Sequence, residues 1–429
     1  MAAPAKLIGA IMMSAGIAFA ATSAASAQSG PAAAPPDLPA ACWTPQQLAA
    51  TASERLVRKM VPAAFIDPPR REPADFSPVV PTQFGVIRRV TLPPGKKLVA
   101  LTFDLCEEPN EIAGYQGNIV DFLRANNVKA TFFAGGKWML SHDQRAQQLM
   151  SDPLFQIGNH TWEHRDLRIL HGQKLTDEIR NAQLAYEDVR SRLDKRQCVR
   201  PDRPGPVSLG TPTRLSLLRL PFGACNPDAL REVYRLGLTP IQWDVSSGDA
   251  PPGQSQKEML KDVVGGVRPG SIVLFHANGR GLGTEEALPV IVKALRAKGY
   301  EFATIGELMK AGVPEIMPTC YDHKVGDTDH YDALALRLEA AYSRARRQMP
   351  ATAPLSDKPA SPDAPSASEP PAPATTSALN DAATANEVRP DPAIKVPLPR
   401  PRPLKRAKPA LSQTRGAQSA SRTGPSIAR

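Results

Sequence analysis

Leu98-Val99-Ala100-Leu101-Thr102-Phe103 is an apolar run of strand length, and it ends on a carboxylate, Asp104. A strand with one wet face alternates apolar and polar residues. A run that is apolar throughout marks a strand covered on both faces, as in a parallel sheet. The same texture recurs on either side. Ala130-Thr131-Phe132-Phe133, Phe155-Gln156-Ile157, Leu215 to Leu220, Leu238 to Trp243 and Ser271 to Phe275 read as further strands. Ile119 to Asn126, Arg145 to Met150, Leu175 to Leu193, Asp228 to Leu236, Lys257 to Val264 and Glu285 to Lys298 read as helices. In the longest helix, Ile179, Ala182, Tyr186, Val189 and Leu193 repeat at helical steps. Thr176 is its expected cap, with Asp177 and Glu178 in the first turn. Strands alternating with helices predict an α/β fold: a distorted or incomplete (β/α) barrel of about seven parallel strands, or a doubly wound sheet.

The flanks read differently. Lys6 precedes an apolar run from Leu7 to about Ala21, and Ala25-Ser26-Ala27 fits a cleavage site, so 1–27 is read as an export signal. No other stretch is apolar enough to span a bilayer. The expected location is therefore periplasmic or secreted. Residues 28–95 form an N-terminal extension with a short helix expected from Thr44 to Met60, followed by a proline-punctuated connection. The α/β domain is assigned to 96–320 and a helical extension to 321–349. From Pro350 to Arg429 there is no aromatic residue, and 16 of the 45 prolines fall there. Such a segment buries too little apolar surface to offset its ordering entropy, so a disordered tail is expected.

Net charge is +10, yet from Arg389 onward ten Lys/Arg face one acid, Asp391, which leaves the rest nearly neutral. The tail is expected either to solubilise or to contact anionic envelope polymers. Nucleic acid is a poor partner for an exported chain. The five cysteines are Cys42, Cys106, Cys198, Cys225 and Cys320. No C-x-x-C pair exists among them, so disulfides are the expected use and metal ligation the weaker one, with one thiol left over.

In parallel α/β folds function sits at the carboxyl ends of the strands, so polar residues should follow the apolar runs. They do. Asp104 follows the first run, Asn159, His160 and His164 the third, Arg219 the fourth, Asp244 and Asp249 the fifth, and His276 the sixth.

The order of these pieces resembles the polysaccharide deacetylases, carbohydrate esterase family four, over roughly residues 96–310. Thr102-Phe103-Asp104-Leu105 matches three positions of T-F-D-D, and His160-Thr161-Trp162-Glu163-His164 matches H-[ST]-x-x-H. Arg219-Leu220-Pro221-Phe222 matches R-x-P-[YF], and Leu274-Phe275-His276 matches L-x-H. The D-W motif is approximated by Trp243-Asp244, with Ala250 after Asp249. The resemblance implies that His160 and His164 hold a divalent metal, zinc by preference, that polarises an acetyl carbonyl and acidifies a water. It implies Asp104 as general base, held by Arg219, and His276 as general acid, oriented by Asp249. The oxyanion would meet a backbone N–H near Phe222, and Leu274 and Trp243 would wall the acetyl methyl, Trp243 serving equally well as core. The implied substrate is an acetylated glycan: peptidoglycan, a chitin-like oligosaccharide or an exopolysaccharide.

Leu105 stands where the family's metal-ligating aspartate belongs. Glu107, Glu108 or Asn110 are the candidate replacements. The alternative is a glycan-binding protein that has lost its metal. A further rival reads His160 to His164 as H-x-x-E-H, a metalloprotease signature with Glu163 as base. Because Cys106 and Cys225 follow the first and third motifs, a Cys106–Cys225 disulfide is expected, with Cys42–Cys320 as the second pair.

Overall fold

The computed structural model describes residues 38–72, 76–199 and 211–348. The expected export signal and the expected tail lie outside the described residues. Eight parallel-paired strands carry the fold: β1 Leu98–Leu105, β2 Ala130–Ala134, β3 Phe155–Asn159, β4 Leu217–Leu218, β5 Thr239–Pro240, β6 Val245–Ser246, β7 Ile272–His276 and β8 Glu301–Phe302. Seven of them run in the order β5-β4-β3-β2-β1-β7-β6, and β8 pairs with the start of β1. β5 and β6 stand at opposite edges, yet only residues 241–244 separate them in sequence. Five residue steps reach at most about 18 Å. The sheet must therefore curl until its edges approach, which makes it a distorted barrel. The crossing segment is held from three sides: Ile241 N–H donates to Leu218 O, Gln242 N–H to Ile87 O and Asp244 N–H to Ile272 O. This is why the run Leu238 to Trp243 is not one strand.

Strand alternation sorts the core into two layers. Val99, Leu101, Phe103 and Leu105 of β1 pack outward with helix residues such as Ile119, Leu123 and Ile291. Ala100 of β1 packs inward with Phe133, Leu217, Ile272 and Leu274. An antiparallel ribbon of Val86–Thr91 and Val313–Met317 adds Ile87, Val90 and Ile316 to this inner cluster. The helices Gly117–Ala125, Asp143–Ser151, Pro227–Arg235, Gln256–Gly266 and Thr284–Ala297 fall within a few residues of their expected bounds.

Two local expectations fail for tertiary reasons. Thr44 to Met60 is not one helix. It breaks after Pro45–Leu48 because the Arg145 guanidinium takes the Gln47, Leu48 and Ala49 carbonyls that a longer helix would use. Thr176 is not a cap. The helix Gly172–Asp194 starts a turn earlier, and the Thr176 hydroxyl reaches Glu232 on the next helix. Among the described residues no helix is long and apolar enough to cross a membrane.

The cysteine pairing differs from expectation. Cys42 is bonded to Cys198 and Cys225 to Cys320, while Cys106 is a buried free thiol. Cys225 turns away from Cys106 because the segment around Tyr321 lies over the Pro221–Gly223 turn. A Cβ on Gly223 would sit 3.2 Å from Tyr321 O. Peptide mapping without reductant is expected to recover Cys42–Cys198 and Cys225–Cys320 and one alkylatable thiol, Cys106. Cys225→Ser with Cys320→Ser is expected to lower unfolding stability by about 4–5 kcal/mol in the chain-entropy account of a loop this long.

Candidate active site

Register brings the polar strand ends level. Asp104 of β1 pairs with His276 of β7 on one side and Phe133 of β2 on the other. Ala134 pairs with Asn159, and Asn159 with Leu218, one residue before Arg219. Asp104, His160, Arg219 and His276 thus stand at the same end of the barrel.

Arg219 is fully buried, and its Nε makes no hydrogen bond. Its Nη1 donates to Asp104 Oδ1 at 2.9 Å and to Thr102 Oγ1 at 2.8 Å. The guanidinium carbon lies 4.2 Å from the Phe133 ring centroid. Phe133 reaches that place because residue 158 is glycine: a Cβ there would lie 2.6 Å from the ring. The Arg219 carbonyl is 3.0 Å from His160 Nδ1. With the Nδ1 proton given to that carbonyl, Nε2 is left as a bare lone pair.

His160 Nε2 is buried and makes no hydrogen bond, with Asp104 Oδ2 3.4 Å away. His164 Nδ1 is likewise buried without a partner, and the two imidazole centroids are 4.9 Å apart. Burial lowers the pKa of both: Asp104 opposes the shift at His160, and His160 reinforces it at His164. Two neutral imidazoles with unused buried nitrogens suit a metal ion, so the donor set passes this test of fit. Among the described residues, the group of three or more ligand-type atoms within 4.8 Å of one another is His160, His164 and Cys106. It contains neither Glu107 nor Glu108. Glu107 accepts from Ala113 N–H and Ser141 Oγ, and burial raises its pKa to about 7. Glu108 lies 3.8 Å from Lys59 Nζ and 3.9 Å from Arg280 Nη2. Asn110 turns its amide to Met60.

On β7, His276 Nδ1 is 2.8 Å from Asp249 Oδ1, while Asp249 Oδ2 accepts from His276 N–H at 2.7 Å and from Thr284 Oγ1 at 2.7 Å. Burial alone would lower the His276 pKa, but the Asp249 carboxylate outweighs it and the net shift is upward. Asp244, the other acid on this segment, instead accepts from Ser271 Oγ and Ile272 N–H at the opposite end of β7.

A cavity of about 490 Å³ opens over these groups, lined by Asp104, Cys106, His164, Phe222, Leu274 and His276 among others. Trp243 joins the lining, and its Nε1 donates to Asp322 Oδ1 at 2.9 Å. A larger hollow of about 670 Å³ lies by Glu54, His142 and Arg145 and contains none of the strand-end residues. Thr161, His164 and Phe222 all have positive φ, at 64°, 58° and 61°. Each such residue costs about 1–3 kcal/mol, and strain of this kind gathers at functional sites. His160 follows the last residue of β3 and His164 sits in a loop, so the two do not share a helical face. Glu163 is paired with Arg165. That geometry does not suit H-x-x-E-H zinc chemistry.

Several site residues escaped the sequence reading. Thr102 accepts from the guanidinium that holds Asp104, and Thr284 donates to Asp249. Tyr331, on the helix His330–Gln348, lies 5.2 Å from the Phe222 ring, and Asp322 and His323 also line the cavity. The only available signal was that this helical extension follows the α/β domain directly.

Residues 91–201 match the family model described as polysaccharide deacetylase. That stretch includes the two motifs Thr102 to Leu105 and His160 to His164. Over 212 residues the chain is 29% identical to the peptidoglycan-N-acetylglucosamine deacetylase PgdA of Listeria monocytogenes, a match spanning 49% of this chain and 39% of that protein. It is 26% identical over 214 residues to a chitooligosaccharide deacetylase of Azorhizobium caulinodans, covering 47% of this chain and 90% of that one. Among solved structures, a carbohydrate esterase family four pseudoenzyme from Bacillus anthracis aligns with a TM-score of 0.41 and 23% identity, covering 51% of this chain and 66% of that one.

Removing one partner of a buried ion pair strands the other. Arg219→Met is therefore expected to lower unfolding free energy by about 3–5 kcal/mol, read from urea denaturation. An unchanged midpoint would mean that Asp104 does not depend on this guanidinium.

Proposed function

We propose that this site hydrolyses N-acetyl groups of an amino-sugar glycan in the cell envelope. The observation that carries the reading is the meeting, at one end of the barrel, of an Arg219-held Asp104, two bare imidazole nitrogens and the His276–Asp249 pair, with Asp104, His164, Asp249 and His276 lining one cavity. The names borne by the Listeria and Azorhizobium relatives support an N-acetylated substrate. Two disulfides support an oxidising compartment, in line with export. The basic tail is read as the part that meets anionic envelope polymers.

A divalent cation held by His160 and His164, zinc by preference, supplies Lewis-acid polarisation of the acetyl carbonyl. Asp104 is held through Oδ1 by Arg219, which leaves Oδ2 to accept a proton from the attacking water. The water oxygen adds to the acetyl carbon. The negative charge that develops on the carbonyl oxygen is met by a backbone N–H at the Phe222 turn. His276 gives its proton to the leaving nitrogen as the C–N bond breaks, and acetate and a free amine depart. Asp249 fixes the ring by its Nδ1 and keeps the acid form populated. Leu274 and Trp243 exclude water around the methyl group.

Leu105 favours a second reading. It is buried in the outer core and offers no ligand where the family places an aspartate. A chain that binds glycan without cleaving it would look the same there.

Acetate release from a panel of N-acetylated glycans, with and without chelator, separates the two. Hydrolysis predicts chelator-sensitive release, with kcat/KM about 10²–10⁴-fold lower in Asp104→Asn. Glycan retention without any release would establish the binding protein. The His276 shift gives a second expectation. A raised pKa keeps the acid protonated to higher pH, so activity falls as pH rises through it. Asp249→Asn is expected to move that alkaline limb to lower pH and to reduce kcat, as read from a pH profile of kcat/KM and kcat.

A further inference from the structure

The cavity wall contains a thiol that the reaction above does not use. Cys106 is the one cysteine outside the two disulfides, and it is 5% exposed. Its position follows from the pleat of β1. Thr102 and Asp104 turn into the barrel and Leu105 turns out into the helix layer, so the next residue returns to the side of Asp104. The Leu105 side chain packs in the helix layer, whereas Cys106 lines the cavity. Its Sγ lies within 4.8 Å of ligand nitrogens of both His160 and His164. In a tetrahedral zinc site with ordinary bond lengths, sulfur and nitrogen ligands stand about 3.5 Å apart. The three atoms therefore need to close by only about an ångström onto a common ion. The independent sign of a missing partner is His160 Nε2, buried and without a hydrogen bond.

We propose that Cys106 is the third protein ligand, so that this chain holds a His160–His164–Cys106 cation site in place of the family's aspartate-and-histidine set. The inference rests on the reading of the two histidines as metal ligands made under the proposed function, and it names what completes them. When the ion enters, the S–H bond breaks, the proton leaves to solvent and the sulfur lone pair bonds the ion. Thiolate carries the same single charge as the carboxylate it replaces, so the charge of the site is kept. Its softness is not: sulfur favours zinc or cobalt(II) and disfavours magnesium, calcium and manganese. The sulfur is already oriented. Asn278 Nδ2 donates to Cys106 Sγ at 3.0 Å and to Cys106 O at 2.6 Å, and Asn278 is itself buried. Such an outer contact fixes the ligand and spreads its charge. Three protein ligands leave a fourth position on the cavity side, the arrangement of hydrolytic rather than structural zinc sites.

The test uses the full chain, stripped with chelator, dialysed and titrated separately with zinc chloride and cobalt chloride. One equivalent of each is expected to bind. The cobalt form of the unaltered chain is expected to show a sulfur-to-cobalt charge-transfer band in the near ultraviolet, which does not depend on any variant folding. Cys106→Ser is expected to lose that band and to bind zinc at least about 100-fold more weakly, since even outer-shell changes cost 10–100-fold. Cys106→Asp is expected to recover zinc binding without the band. Cobalt binding with no sulfur band in the unaltered chain would overturn the proposal, as would equal zinc affinity in Cys106→Ser. The two readings fail separately. Chelator-sensitive acetate release without a sulfur band sinks this inference alone. A sulfur band without acetate release leaves the ligand set standing and removes the hydrolase.

Discussion

The site depends on one buried guanidinium. Desolvating Arg219 is expensive, and the structure offsets part of it with Asp104 and Thr102 on Nη1, the Phe133 ring beneath and the Gln242 carbonyl near Nη2, while the buried Nε makes no hydrogen bond. The same residue acts through its backbone, since its carbonyl fixes the tautomer of His160. A single position thus places both the carboxylate and the bare nitrogen beside it. The parallel register makes this possible, because it brings Leu105, Ala134, Asn159 and Leu218 level across four strands, with Asp104, His160 and Arg219 each one residue away from that row.

A second feature is how the mouth is finished. Three residues in left-handed conformations, Thr161, His164 and Phe222, aim side chains that a relaxed loop would not. That strain is held in place by packing. The His164 ring is 4.6 Å from Phe222, Phe222 meets Tyr331, and the Cys225–Cys320 bond fastens the chain that delivers Tyr331. The helical extension is therefore part of the cavity rather than an appendage to the barrel.

Much of this was legible in the sequence, for a physical reason. Strands buried on both faces are apolar throughout, so β1, β2, β3 and β7 announce themselves, and the polar residues at the ends of β1, β3 and β7 are conspicuous. Asp104, His160, Arg219, His276 and Asp249 could be read as one constellation before any geometry was known. What could not be read depends on paths through space. The two-residue strands β6 and β8 carry too little pattern, and β4 and β5 are shorter than the runs Leu215 to Leu220 and Leu238 to Trp243 that contain them. The crossing at 241–244 exists only because the sheet curls. The disulfide pairing follows from where the Tyr321 segment runs, and spacing does not encode that. Cys106 was set aside as a ligand for want of a C-x-x-C pair. Its place beside the histidines comes instead from the pleat of β1 and from partners more than 50 residues away in the chain.

The central claim is that Asp104 and Arg219 act as one unit in hydrolysis. A double-mutant cycle on kcat/KM for acetate release, with Asp104→Asn, Arg219→Lys and the pair, addresses it most directly. If the guanidinium works only through the carboxylate, the double variant will be no slower than Asp104→Asn alone. Losses that simply multiply, or full activity in either single variant, would contradict the account.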